Sequence, residues 1–336
     1  ARDDNQQDTR TKRLQAGGFL PRLCKIVNDK LIPGRSAGLF AIYLYLWCKT
    51  CLEIKMKNIL FVSSVLALAC TGFAQKIVIT TNYTADPAPY VHGDTVYLYT
   101  THDEDNADGF MMYDWLLHTS TDMVNWTSHG AVASLGDIKW TSKTNGAWAE
   151  QVIERDGKWF MYVPIHGNGI SVLVADNPYG PFKEPLNKAL VWQREHWNDI
   201  DPTVWIDDDG QAYMYWGNPE LYMIKLNKDM ISTQGSIVTY PKIKDYQEGP
   251  WVYKHGNNYY MTFASTCCAE GIGYAMSDKI TGPWTYKGDI MPHSSRSNGN
   301  HPGIIDFKGK SYVFGLNYEL WRYKSEKMGQ KFQHKE

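Results

Sequence analysis

Five times along this chain an acid or a histidine opens an apolar run, which passes through a glycine-containing turn into an aromatic run. Asp86 opens Asp-Pro-Ala-Pro-Tyr-Val, Asp201 opens Asp-Pro-Thr-Val-Trp-Ile, and Glu248 opens Glu-Gly-Pro-Trp-Val-Tyr. The turn glycines Gly93, Gly210 and Gly256 follow at offsets of 7, 9 and 8 residues. A fourth copy runs from Glu150 through Gly157 to Trp159–Val163. A fifth runs from His301 through Gly309 to Tyr312–Phe314. Successive anchors lie 64, 51, 47 and 53 residues apart. A period of this size, built from short strands, predicts the blades of a β-propeller. Equivalent positions of a propeller converge on one axis, so acids far apart in sequence are expected to share one pocket.

The local signals agree with an all-β fold of five blades. Thr95–Thr100, Gln211–Trp216 and Asn258–Phe263 are β-branched or aromatic runs bounded by Gly, Asp or Asn. Helical periodicity is absent. Asp207-Asp208-Asp209-Gly210 and His255-Gly256-Asn257-Asn258 read as hairpin turns. A second repeated element, Asp176-Asn177-Pro178-Tyr179-Gly180-Pro181-Phe182, aligns with Asp278-Lys279-Ile280-Thr281-Gly282-Pro283-Trp284. Asp122 opens a looser version. These acids read as turn caps rather than catalysts. After Tyr318 the pattern thins. The last blade shows two clear strands and is expected to be incomplete, with residues 77–81 supplying its outermost strand.

Aromatic residues make up 14% of the 336, which suits wide inter-sheet packing and also sugar stacking. A net charge of −2 with no basic block in the repeat region argues against nucleic acid as a partner. Cys267 and Cys268, adjacent in sequence, offer neither a disulfide framework nor zinc-ligand spacing. They read as two free thiols near a loop, with a strained vicinal disulfide as the alternative.

Met56-Lys57-Asn58, the apolar run Ile59–Ala69 and Gly72-Phe73-Ala74 have the form of a signal peptide over 56–74, cleaved after Ala74. The run is too short for a membrane span, so a secreted or periplasmic protein is expected. Lipidation at Cys70 ranks second, because Ala stands where Leu is usual three residues before the cysteine. Residues 1–55 read as sequence upstream of the true start. The alternative is a membrane-proximal segment using Ala37–Trp47. Residues 75–336 form the expected catalytic propeller.

Three acids around one pocket suit glycoside hydrolysis with inversion. One carboxylate activates water, and a carboxylic acid roughly 6.5–9.5 Å away protonates the leaving oxygen. A third carboxylate can orient the acid and tune its pKa. The chain from about Thr84 to Tyr318 resembles glycoside hydrolase family 43, five-bladed propellers acting on arabinose- and xylose-containing polysaccharides. The resemblance rests on Asp86-Pro87, Asp201-Pro202-Thr203-Val204 and Glu248-Gly249-Pro250 and on their spacing. It implies Asp86 as general base, Glu248 as general acid, and Asp201 as the residue that tunes and orients Glu248. It also implies that His301 sits near a bound calcium or a central water. No carboxylate cluster beside His301 in the sequence indicates direct calcium ligation. Blade 2 departs from the family's Trp-Ala-Pro-Asp-Val, reading Trp148-Ala149-Glu150-Gln151-Val152. That change leaves the trio intact and alters the pocket lining.

Further sugar-contact candidates are Trp148, His102 in Thr-Thr-His-Asp, Asn218 in Trp-Gly-Asn, and Arg296 in the polar loop ahead of His301. His102 and Asn218 rank lower, since they follow strands expected to run outward from the axis. The expected activity is removal of α-L-arabinofuranosyl or β-D-xylosyl units from plant polysaccharide or oligosaccharide. The rivals are an endo-acting arabinanase and a non-catalytic sugar-binding propeller. No organic cofactor is required, and a structural calcium is the one metal the resemblance brings.

Overall fold

The computed structural model describes residues 77–194, 198–293 and 300–331. Strands β1 (Thr84–His92), β2 (Thr95–Asp103), β3 (Met112–Ser120) and β4 (Thr127–Ser134) form one antiparallel meander. β5 (Gln151–Arg155), β6 (Lys158–Pro164) and β7 (Ile170–Ala175) form the next. β8 (Thr203–Ile206), β9 (Ala212–Trp216), β10 (Tyr222–Leu226) and β11 (Thr233–Thr239) make the third. The fourth comprises β12 (Tyr246–His255), β13 (Asn258–Ser265), β14 (Ile272–Ser277) and β15 (Thr285–Met291). β16 (Gly303–Phe307) and β17 (Lys310–Phe314) pair as a two-stranded sheet. The arrangement is an all-β propeller.

The first strand of each sheet lies innermost, and these strands meet in cyclic order: β1 with β5, β5 with β8, β8 with β12, β12 with β16, and β16 with β1. Side chains stitch the ring. Gln151 Oε1 accepts the Val204 N–H. Thr203 Oγ1 accepts that of Val252 at 3.3 Å, and Trp251 Nε1 donates to the Ile304 carbonyl at 3.0 Å. Gly303 has no room for a side chain, because a Cβ there would stand 2.3 Å from the Pro87 carbonyl oxygen.

Successive strand residues point to opposite faces, and here both faces are buried between sheets. On β6, Trp159, Met161 and Val163 join the core shared with the first sheet, while Phe160 and Tyr162 join the core shared with the third. On β9, Met214 and Trp216 face one neighbour, and Tyr213 and Tyr215 face the other. This double burial accounts for much of the aromatic content. Burial of each large side chain contributes about 1.5–3 kcal/mol.

The chain departs from expectation after β17. Residues 319–328 form a helix, α1 (Glu319–Met328), rather than another strand. The segment holds no β-branched residue, and Gly329 at φ +68° closes it. Lys324 lies 4.1 Å over the Tyr83 ring and 3.6 Å from Asp105, docking the helix beside β1. Residues 77–81 make no strand. Just after them, Asp105 accepts from Asn82 Nδ2 and the Tyr83 N–H, holding the chain against the β2–β3 loop instead. Cys267 and Cys268, expected as thiols, are joined as a vicinal disulfide. Asp122 caps its turn as expected, accepting the Val124 and Asn125 N–H groups. The signal-peptide segment, Cys70 and residues 1–55 lie outside the described residues. No helix among the described residues is long and apolar enough to cross a membrane.

Candidate active site

Strand register shows which residues are equivalent at the axis. The first pairs of the regular outward ladders, which in β1 and β12 begin beyond a register shift, are Ala88 with Tyr99, Gln151 with Tyr162, Thr203 with Tyr215, Trp251 with Thr262, and Gly303 with Phe314. Two residues before each first partner stand Asp86, Ala149, Asp201, Gly249 and His301. One residue before stand Pro87, Glu150, Pro202, Pro250 and Pro302. All ten line one axial cavity, together with Trp251. The sequence repeat is therefore off by one in two blades. Glu248 precedes the ring position that Gly249 occupies, and Glu150 falls in the ring that is otherwise proline.

The backbone explains the proline ring. Asp86, Asp201 and Gly249 hold φ of +51°, +59° and +59°, each just before a proline. Left-handed backbone is unfavourable for a non-glycine residue by roughly 1–2 kcal/mol, and proline disfavours the α region before it. Asp tolerates the strain better than most residues, and the result is two carboxylates thrown inward. At Gly249 an added Cβ would stand 2.7 Å from His301 Cγ, so the His301 ring lies across that glycine.

His301 is the hub. Its Nδ1 is 3.0 Å from Asp86 Oδ1, an ion-pair contact without hydrogen-bond alignment. Its Nε2 faces Glu248 Oε1 at 3.7 Å and Asp201 Oδ2 at 3.8 Å. Asp86 also accepts from Thr101 Oγ1 at 3.0 Å, and Asp201 accepts the Gly249 N–H at 3.1 Å. Asp201 is sealed, whereas the Glu248 side chain keeps 19% of its surface exposed. Burial pushes the Asp201 carboxyl up to about 8; protonated His301 opposes the shift, and Glu248 and Asp86 add to it. Burial alone would lower the His301 pKa, but Asp86 and Asp201 override it and hold the imidazole well above its usual value. Asp201, the expected tuner, thus carries a raised carboxyl.

Asn218 belongs to the site more closely than its place in the sequence suggested. Its Nδ2 donates to Glu248 Oε2, and its Oδ1 accepts from Gln247 Nε2 at 2.9 Å. The β9–β10 loop that carries it sits at the same end of the sheet as the start of β12. His102 turns elsewhere: Nδ1 pairs with Asp114 at 2.7 Å and Nε2 with Asp105 at 3.3 Å. Both ring nitrogens are committed to carboxylates, which removes them from sugar binding. Trp148 is half-buried and stacks on His166, ring centroids 3.9 Å apart. Arg296 lies outside the described residues.

The sequence model of glycosyl hydrolases family 43 matches residues 75–335. The chain belongs to that family. It is 34% identical over 68% of its length to an arabinoxylan arabinofuranohydrolase of Paenibacillus polymyxa, spanning 44% of that protein. It is 30% identical over 69% of its length to a xylosidase/arabinosidase of Bacteroides ovatus, spanning 85% of it. Among solved structures, an α-L-arabinofuranosidase of Clostridium thermocellum superposes with a TM-score of 0.64 at 35% identity, covering 74% of this chain and 86% of that one. A family-43 β-xylosidase/α-arabinofuranosidase from a compost metagenome, solved with xylotriose in a calcium-free form, gives 0.65 at 26%, covering 73% and 89%.

Within this family-43 pocket, Asp201, Glu248 and His301 bring potential ligand atoms within 4.8 Å of one another. They offer calcium fewer oxygen donors than the six to eight it takes, so water would have to complete its shell there. The centre of the cluster is an imidazole whose raised pKa already places a positive charge among the carboxylates.

Proposed function

We propose that this chain is an inverting glycosidase, a five-bladed propeller that removes α-L-arabinofuranosyl or β-D-xylosyl units from plant polysaccharides or oligosaccharides. The observation that carries the reading is the convergence of Asp86, Asp201 and Glu248 on one imidazole from three separate sheets. Asp86 and Glu248 lie against opposite nitrogens of that ring. The breadth of a ring between them supports the wider spacing that admits a water, as inversion requires.

In this mechanism Asp86 takes a proton from water as the water attacks the anomeric carbon. Glu248, the more accessible acid, protonates the departing glycosidic oxygen. Asn218 fixes one Glu248 oxygen and leaves the other to act. Asp201 sets the field beneath Glu248 and holds the Gly249 backbone. His301 keeps a positive charge between the carboxylates, close beside the candidate base Asp86. The cyclic contact order of the five inner strands supports five blades, the last reduced to β16 and β17.

We read the chemistry as needing neither an organic cofactor nor a metal, with a water rather than calcium beside His301. Chelation that halves activity or more would reject the metal-free part. The Met56–Ala74 pattern supports export, testable by finding Gln75 at the mature N-terminus.

The deciding experiment follows 4-nitrophenol release from α-L-arabinofuranoside and β-D-xyloside by the parent and by Glu248→Gln. Activity that falls by orders of magnitude in the variant is expected, and the better substrate names the sugar. A folded parent inactive on both substrates would point instead to an endo-acting enzyme or a binding propeller.

A further inference from the structure

Four of the five blades place proline in the second axial ring, and the second blade places Glu150 there. Proline is apolar and needs no partner for its side chain. Glu150 lines the same cavity, 4% exposed, with neither carboxyl oxygen hydrogen-bonded by another residue. Leaving a buried polar group unpartnered costs about 1–3 kcal/mol. The cavity it shares with Asp86, Asp201 and His301 is about 20 Å³, room for one water. A water needs two to four polar partners to occupy such a site, and Asp86 and Glu150 both line this one.

We propose that Glu150 is a positioning residue that holds, together with Asp86, the water that attacks the sugar. The inference rests on the inverting reading above. The water gives one hydrogen bond to Asp86 and the other to a Glu150 oxygen, and a lone pair is left facing the anomeric carbon. In the reaction the water oxygen bonds to that carbon, and its proton passes to Asp86. The carbon–oxygen bond to the leaving group breaks, and that oxygen takes the Glu248 proton. Burial raises the Glu150 pKa well above the usual carboxyl value; its own backbone N–H opposes the shift, the nearby Asp86 charge adds to it, and His301 opposes it. A neutral Glu150 accepts from the water without competing with Asp86 for its proton.

The test compares the parent with Glu150→Gln, Glu150→Ala and Glu150→Met on both 4-nitrophenyl glycosides. It reads kcat and KM separately, the product anomer by NMR, and thermal melts. Ala and Met are expected to lower kcat about 100-fold with little change in KM, the scale of a misplaced reactant. Gln, which keeps an acceptor oxygen of similar reach, recovers most of that loss. Met, which fills the volume and removes the unpartnered polar group, melts at or above the parent. A role in packing alone would reverse that last result and leave the kcat–KM split unmoved.

Three results overturn the proposal: kcat retained in Ala and Met, KM rising at constant kcat, or Gln falling as far as Met. The first excludes a part in the reaction, the second makes Glu150 a sugar ligand, and the third requires its charge. An inactive parent overturns the hydrolytic reading itself, and a retaining parent overturns its inverting part; either is seen before any variant is made.

Discussion

His301 Nδ1 lies 3.0 Å from Asp86 Oδ1, so the candidate base is held against a cation that other carboxylates also share. Removing one partner of a buried charge cluster leaves the rest uncompensated. His301→Gln is expected to lose about 3 kcal/mol of stability near pH 6, with kcat falling steeply as the group that holds Asp86 in place is lost. The pH dependence has a definite sign. The folded pKa of His301 is raised, so its stabilisation is complete below the unfolded value near 6.5 and fades as pH rises through the higher folded value. Denaturant titrations of both proteins should therefore converge at alkaline pH. A constant gap across pH would show that His301 acts through packing alone.

Gly249 permits the His301 ring to cross the axis. Gly249→Ala would put a Cβ 2.7 Å from His301 Cγ at a φ of +59°. The backbone alone costs roughly 1–2 kcal/mol, and the ring must move off Asp86. A lower melting temperature and a kcat reduced about 100-fold are expected. A variant that keeps parental kcat would mean that the His301 position does not govern the reaction.

The ring of inner strands was legible because each blade repeats an anchor, a glycine turn and an aromatic run. The trio was legible because Asp-Pro and Glu-Gly-Pro stand at matching intervals. The one-residue offsets at Glu248 and Glu150 were not legible, since only strand pairing fixes register and a shift of one moves a side chain to the opposite face. Asn218 was underrated for a related reason. In sequence the strand before it reads as running outward, but β8 leads outward and antiparallel β9 returns to the pocket end, which brings Asn218 beside Glu248. The helix α1 escaped because its ten residues are too few to show periodicity against a β background.

Asn218 makes its own prediction. It bonds Glu248 Oε2 and is itself held by Gln247. A hydrogen bond to a charged group is worth about 1.5–3 kcal/mol, so Asn218→Ala should lower kcat/KM by about 10- to 100-fold. The melt should hardly change, because the residue is half-buried on a loop. Asn218→Asp should be worse than Ala, since it sets two acids together. An Asp variant as active as Ala would show that the contact with Glu248 is incidental.

His118 tests the fold apart from the chemistry. It sits on β3, 3% exposed, with neither ring nitrogen hydrogen-bonded. Burial, helped by His129, pushes its pKa down to about 4. Between that value and the unfolded value near 6.5, the unfolded chain binds a proton that the folded chain refuses, so acid favours unfolding. Across this window the parent should lose about 3 kcal/mol through this one residue. His118→Leu removes that term and two unpartnered nitrogens. The stability of the variant relative to the parent should therefore grow as pH falls from 6.5 to 4, as measured by denaturant midpoints at fixed salt. If the two curves stay parallel over that range, His118 takes up its proton without opening the first blade.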